Sequence, residues 1–258
     1  MNSIQLTSTL FDKSLFMIPP SVEFDQVFKS FATQSLFSGF DLALPGNQVT
    51  ALVGASGCGK STLLQMINGL LRPDSGQVRV LGRPLDYSRL PEVRRKMGYA
   101  VQQIGLFPHL TVEANITLMA RLESWSEAKI QDRLSKLFQF MYLDRALLTR
   151  YPHEISGGQS QRVGLCRAMM LDPELLLLDE AFSAVDPITR VDVHARFQEL
   201  QAAEPRSVVL VTHDIQEAIK LADFMVILDP GVLLQAGAPQ TIIDQPANAQ
   251  VARLLEAC

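Results

Sequence analysis

One stretch, Gly54-Ala55-Ser56-Gly57-Cys58-Gly59-Lys60-Ser61-Thr62, constrains this chain more than any other. It fits the pattern Gly-x-x-x-x-Gly-Lys-Ser/Thr, a glycine-rich loop that wraps a phosphate. Its context fits too: an apolar β-type run, Val49 to Val53, precedes it, and a helix-compatible run, Ser61 to Leu70, follows. Glycine reaches φ > 0 without steric cost, so the backbone can close around an anion. The loop N–H groups and the helix N-terminus behind them form the anion site. Lys60 would supply a point charge to the β- and γ-phosphates, and Ser61 a hydroxyl ligand for Mg²⁺.

Composition narrows the classes. At 258 residues the chain can bury a full core. Hydrophobic residues make up 47% and charged residues 19%, which is a globular balance. The net charge is −4 and no dense Lys/Arg tract occurs, so the electrostatic footprint of a nucleic-acid binder is missing. No apolar run approaches the ~18 residues of a membrane span. Met1 to Pro20 lacks a basic n-region and carries Asp12 and Lys13 in its apolar stretch, so it does not read as a signal peptide. Cys58, Cys166 and Cys258 show no metal or redox spacing, and a reducing cytosol is the natural reading.

Strand-like runs alternate with helical patterns, which argues for an α/β fold with a mainly parallel sheet. Val22 to Phe28 and Phe37 to Leu44 read as early, antiparallel strands. Gln77 to Leu81, Met97 to Val101, Leu175 to Leu178, Ser207 to Val211, Phe224 to Leu228 and Val232 to Gln235 continue the series. Strands without polar alternation suit a sheet covered on both faces. From Thr111 to Leu147 the pattern is helical instead. Ile130, Leu134, Leu137 and Met141 share one face, as a stripe that packs on the core or as a partner surface. No internal repeat occurs, and no stretch long enough for a further domain follows Gly237.

Two further motifs carry chemistry. Leu175-Leu176-Leu177-Leu178-Asp179-Glu180 is a buried strand ending in paired acids. Beside a phosphate loop, Asp179 would hold Mg²⁺ and Glu180 would polarise an attacking water as general base. Ser156-Gly157-Gly158-Gln159-Ser160-Gln161-Arg162 opens a helix-compatible run from Gln159 to Leu171, with Ser156 as N-cap. Two glycines before a helix make a second anion site. One chain with one nucleotide has no need of a second cradle, so this one is expected to act on another subunit's nucleotide.

From about Val22 to Gly237 these motifs, in this order, resemble the nucleotide-binding subunit of an ATP-binding cassette (ABC) transporter. The resemblance implies a P-loop cassette: a mainly parallel core sheet, N-terminal antiparallel strands and a helical subdomain at about 103–169. Residues 21–258 would form this one domain and residues 1–20 an extension. It implies that Phe31 stacks on adenine and that Gly54, Ala55, Ser56, Gly57, Cys58, Gly59, Lys60, Ser61 and Thr62 are the Walker A loop. Gln102 matches the Q-loop glutamine that senses Mg²⁺ and the attacking water, with Gln103 next to it. Ser156, Gly157, Gly158 and Gln159 match the signature sequence, Asp179 and Glu180 the Walker B acids, Asp186 the D-loop and His213 the switch histidine. Where the family usually has proline after the catalytic glutamate, this sequence has Ala181.

The same resemblance implies ATP and Mg²⁺ as cofactors and a head-to-tail homodimer closing on two ATP molecules. Its expected partners are membrane permease subunits and a solute-binding protein, at the inner face of the cell membrane. Arg94 to Thr111 and Asp186 to Arg190 are similar to cassettes of glycine betaine, choline and other osmoprotectant importers. An amino-acid or other small-solute cassette is the alternative, and a soluble mechanical ATPase a more distant one. Phe107 and Leu110 are candidates either for permease contact or for insert core. His109 and His153 flank motifs, and His194 falls in Arg190 to Gln201, which reads as a surface helix.

Overall fold

A computed structural model of the chain describes residues 18–32, 34–101 and 105–256. The unbroken apolar runs become the strands at the centre of the sheet. β1 (Val22–Phe31) and β2 (Gln34–Leu44) form a hairpin, and β3 (Val49–Gly54) leads into the phosphate loop and α1 (Lys60–Ile67). β4 (Ser75–Val80), β5 (Arg83–Pro84), α2 (Leu90–Arg94) and β6 (Met97–Ala100) follow. Then come α3 (Val112–Leu122), α4 (Glu127–Phe140), α5 (Gly157–Met169), β7 (Leu175–Asp179), α6 (Pro187–Ala203) and β8 (Ser207–Val211). The described chain closes with α7 (Ile215–Leu221), β9 (Phe224–Asp229), β10 (Val232–Gly237), α8 (Pro239–Asp244) and α9 (Ala249–Glu256).

The larger sheet has six strands in the order β10-β9-β3-β8-β7-β6. All its pairings are parallel except β10 with β9. Every residue of β3, β7 and β8 is buried, which is why these strands lack polar alternation. The registers Leu52↔Val211 and Asp179↔Val211 bring the C-terminal ends of β3, β7 and β8 level. Ligands of open parallel sheets bind beyond such strand ends.

A second, antiparallel sheet has the order β2-β1-β4-β5. Its Phe24, Phe37 and Phe40 pack with α1 residues Leu63, Leu64 and Ile67. Phe37 lies beneath the phosphate loop: a Cβ at Gly59 would come within 2.5 Å of its ring.

The helical stretch is held by its apolar stripe. Thr111 caps α3 and Ser126 caps α4, each accepting a main-chain N–H of the first turn. Ile130, Leu134, Leu137 and Met141 are all buried, packed with Val163, Cys166 and Met169 on the α5 side. Burying side chains of this size stabilises by about 1.5–3 kcal/mol each. The core reading of that stripe therefore holds. Of residues 1–20, 1–17 lie outside the described residues.

Candidate functional site

The phosphate loop joins β3 to α1, and its glycines have the conformations that the sequence required. Gly54, Gly57 and Gly59 have φ of 154°, 80° and 110°. A Cβ at Gly54 would lie 2.2 Å from the carbonyl oxygen of Leu228, so only glycine fits there. Lys60 folds its side chain back over the loop. Its Nζ donates to the carbonyl oxygens of Gly54 at 2.7 Å and Ala55 at 2.9 Å, and it is 7% exposed. A concentrated positive charge thus sits within the anion cradle.

Ser61 heads α1 facing the end of β7, and its Oγ donates to Asp179 Oδ1 at 3.1 Å. Burial pushes the Asp179 carboxyl above the usual range, and the Glu180 charge adds to the shift; the Ser61 hydrogen bond and Lys60 oppose it. A hydroxyl and a partly desolvated carboxylate, both hard oxygen donors, form a pair that a small divalent cation fits. Such a cation would also relieve the desolvation of Asp179.

Glu180 follows in the left-handed region with φ 49°, an uncommon conformation for a residue with a Cβ. Its backbone is over-determined. Its N–H donates to Val211 at 3.0 Å, and its carbonyl oxygen accepts Ser183 N at 3.1 Å, Ser183 Oγ at 2.8 Å and Gln161 Nε2 at 3.0 Å. The carboxylate is aimed toward the end of β8, where His213 Nδ1 lies 3.4 Å from Glu180 Oε1. Ala181 is buried in this turn.

Ser156 forms a capping box on α5: its Oγ accepts Gln159 N at 3.2 Å, and Gln159 Oε1 accepts Ser156 N at 2.9 Å. Asp186 caps α6 by accepting Thr189 N at 2.9 Å, a bond that holds its carboxyl below the usual range. Arg190 clamps the preceding loop through the carbonyl oxygens of Val185 and Ser183, at 2.8 Å and 3.2 Å. Phe31, at the end of β1, leaves 49% of its surface exposed. Its strand is fixed by Asp74, which accepts Lys29 Nζ and Ser30 N, both at 2.7 Å.

The fold therefore gathers Gly54–Thr62, Asp179, Glu180 and His213 at the C-terminal ends of the neighbouring strands β3, β7 and β8. Ser156 and Gln159 pair with each other at the head of their own helix. Gln102 and Gln103 lie outside the described residues. Gln161 was missed from sequence. It is buried, and its Oε1 accepts Ala184 N at 2.7 Å. The available signal was a polar residue sharing a helix face with Leu165 and Ala168. His194 also differs from expectation: α6 turns it inward, 4% exposed, against Glu217. Among the described residues no helix is long and apolar enough to cross a membrane.

The family described as ABC transporter matches residues 37–183. The chain is 44% identical to the glycine betaine uptake system ATP-binding protein YehX of Escherichia coli (strain K12), over 88% of this chain and 74% of that one. It is 41% identical to the sulfate/thiosulfate import ATP-binding protein CysA of Mycobacterium tuberculosis, over 84% of this chain and 61% of that one. Among solved structures, the dimeric, post-hydrolysis ATP-binding cassette MJ0796 bound to ADP and Pi superposes with a TM-score of 0.78. That match has 27% identity and covers 84% of this chain and 98% of the other.

Proposed function

This chain is an ATP-hydrolysing cassette of the ABC transporter family, and we propose that it drives solute import through a membrane permease. The observation that carries the reading is the 3.1 Å bond between Ser61 and Asp179 beside Lys60, with Glu180 next in the chain. Each group has a role there. Loop N–H groups bind the phosphates and Lys60 adds a point charge. Ser61 and Asp179 would hold Mg²⁺, which when bound neutralises charge on the phosphate oxygens. Gln102 would complete that sensing role. Glu180 takes the proton of the attacking water, and His213 faces its carboxylate from the neighbouring strand end.

The second half of the pocket comes from a second copy. Ser156, Gly157, Gly158 and Gln159 present a helix N-terminus to the partner's triphosphate, and Asp186 lies at the seam. The dimeric cassette above supports this arrangement. Charge-assisted contacts contribute about 1.5–3 kcal/mol each. Losing a few of them on hydrolysis suffices to reverse a two-state equilibrium, which takes about 5.5 kcal/mol. Residues 21–258 act as one cassette, with the helical part at about 103–169 passing the motion to the permease. Phe31 stacks on adenine through its exposed face.

The cargo proposed is a quaternary-ammonium osmoprotectant delivered by a solute-binding protein, with the cassette peripheral on the cytoplasmic face of the membrane. The 44% identity to a glycine betaine uptake protein favours it. The 41% identity to a sulfate/thiosulfate protein keeps another small solute as the second reading. Phosphate release by the purified chain with ATP and Mg²⁺ tests the ATPase. Uptake of labelled glycine betaine against sulfate, by vesicles holding the cassette and its cognate permease, tests the cargo.

A further inference from the structure

Behind the site lies a buried titratable pair that the hydrolysis step leaves unused. His194 Nε2 on α6 is 2.9 Å from Glu217 Oε1 on α7, and the two residues are 4% and 7% exposed. In the arrangement with Glu217 as a carboxylate, its oxygen accepts and the imidazole Nε2–H donates.

Each partner is fastened to a different catalytic segment. The His194 ring meets the Phe182 ring edge-on, with centroids 4.9 Å apart and an interplanar angle of 84°. Phe182 is fully buried and belongs to the Glu180–Ser183 turn. On the other side, Glu217 donates its main-chain N–H to Asp214 Oδ1 at 3.1 Å, and Asp214 N donates to Thr212 Oγ1 at 3.0 Å. His213 lies between those two residues. The chain of contacts Phe182–His194–Glu217–Asp214 therefore closes a ring whose front is the 3.4 Å approach of His213 to Glu180.

We propose that His194 and Glu217 are positioning residues that set the Glu180 turn against the His213 segment. Burying this polar pair carries a desolvation cost that two apolar side chains of similar volume would avoid. What the pair adds is a fixed direction and distance between α6 and α7. That constraint falls on a turn whose glutamate has a left-handed backbone and is followed by Ala181, which leaves φ free. The proposal rests on the ATPase reading above.

Turnover, KM for ATP and amide hydrogen exchange over residues 180–185 test it in wild type, His194→Leu, His194→Gln and Glu217→Gln. Glutamine keeps a side-chain N–H for Glu217; leucine removes it. His194→Leu is expected to lower kcat about ten-fold at unchanged KM and to speed exchange in that segment, because small misplacements at reacting groups are costly. His194→Gln should stay within about two-fold of wild type on both readouts. Should His194→Leu not fold, Glu217→Gln keeps the shape, weakens the bond, and should lower kcat about three-fold. Unchanged kcat and exchange in both His194→Leu and Glu217→Gln would overturn the pair. So would a glutamine at 194 no better than leucine, or a loss confined to KM. A wild-type chain that does not hydrolyse ATP would overturn the underlying reading and the pair with it. Hydrolysing wild type with insensitive variants would overturn the pair alone.

Discussion

Gln161 Nε2 donates to the main-chain oxygen of Glu180 at 3.0 Å, tying the helix capped by Ser156 to the turn that follows β7. The same amide accepts Ala184 N at 2.7 Å. Gln161→Leu would fill the space and remove these bonds, together with the longer one from Nε2 to Ser183 Oγ at 3.4 Å. The Glu180 oxygen keeps two bonds from Ser183, so the unpaired Ala184 N–H would dominate the loss. Ala184 is exposed, so water can take over its N–H, and denaturant unfolding should show only the net loss of an ordinary hydrogen bond, about 0.5–1.5 kcal/mol. An unfolding midpoint equal to wild type would reject Gln161 as the brace.

Glu180→Gln keeps the shape of the side chain and the backbone bonds of its turn, and removes only the proton acceptor. Phosphate release should slow about 10²- to 10⁴-fold. Binding of a fluorescent ATP analogue should be unchanged. Wild-type turnover in this variant would exclude Glu180 as the base.

Asp179 gives a pH dependence with a definite sign. Its carboxyl is held above its ordinary value of 3.8, with burial the largest cause. The folded state therefore binds its proton more tightly than the unfolded state does. The stability from this group is full below 3.8 and is lost as pH rises through the folded pKa. At neutral pH the ionised acid weakens the fold, so Asp179→Asn should raise Tm there and leave Tm at low pH nearly unchanged. Turnover should fall about 10–100-fold, as when a ligand-orienting group is removed from a metal site. Added Mg²⁺ should stabilise the wild type more than the variant. A lower Tm for Asp179→Asn at neutral pH would contradict this account.

The parts of this molecule that were legible in the sequence are those where chemistry leaves little choice. β3, β7 and β8 are buried throughout and could be built only from unbroken apolar runs. The loop Gly54–Thr62 needs positive φ at glycine, a lysine and a hydroxyl at fixed spacing, and nothing else supplies them. Short elements such as β5 and α2 are set by tertiary contacts and have too few residues for a period to show. His194 misled because α6 is exposed along much of its length, and a polar residue facing inward looks like one facing water until Glu217 is placed beside it. Gln161 was hidden for the same reason: its partners are main-chain atoms of a turn nineteen and more residues away.

The two glycine-containing cradles differ in what their own chain demands, and that difference gives the sharpest test of a shared pocket. At Gly59 a Cβ would meet the Phe37 ring at 2.5 Å with φ 110°, so Gly59→Val should destabilise the isolated chain by about 1–3 kcal/mol or more. At Gly157 a Cβ would meet nothing within 4 Å. Gly157→Val should therefore leave unfolding within about 0.5 kcal/mol of wild type, as exposed substitutions do. It should still stop turnover, because the side chain would protrude where a second copy's triphosphate must dock. Lys60→Ala should stop turnover from the other half of the pocket. Mixing the two inactive variants then restores one intact pocket per mixed dimer, built from the Lys60 loop of one chain and the Ser156–Gln159 turn of the other. With half of random dimers mixed and one of two pockets intact, about a quarter of wild-type phosphate release should return. A mixture as inactive as its components would place the whole site within a single chain and exclude the head-to-tail dimer.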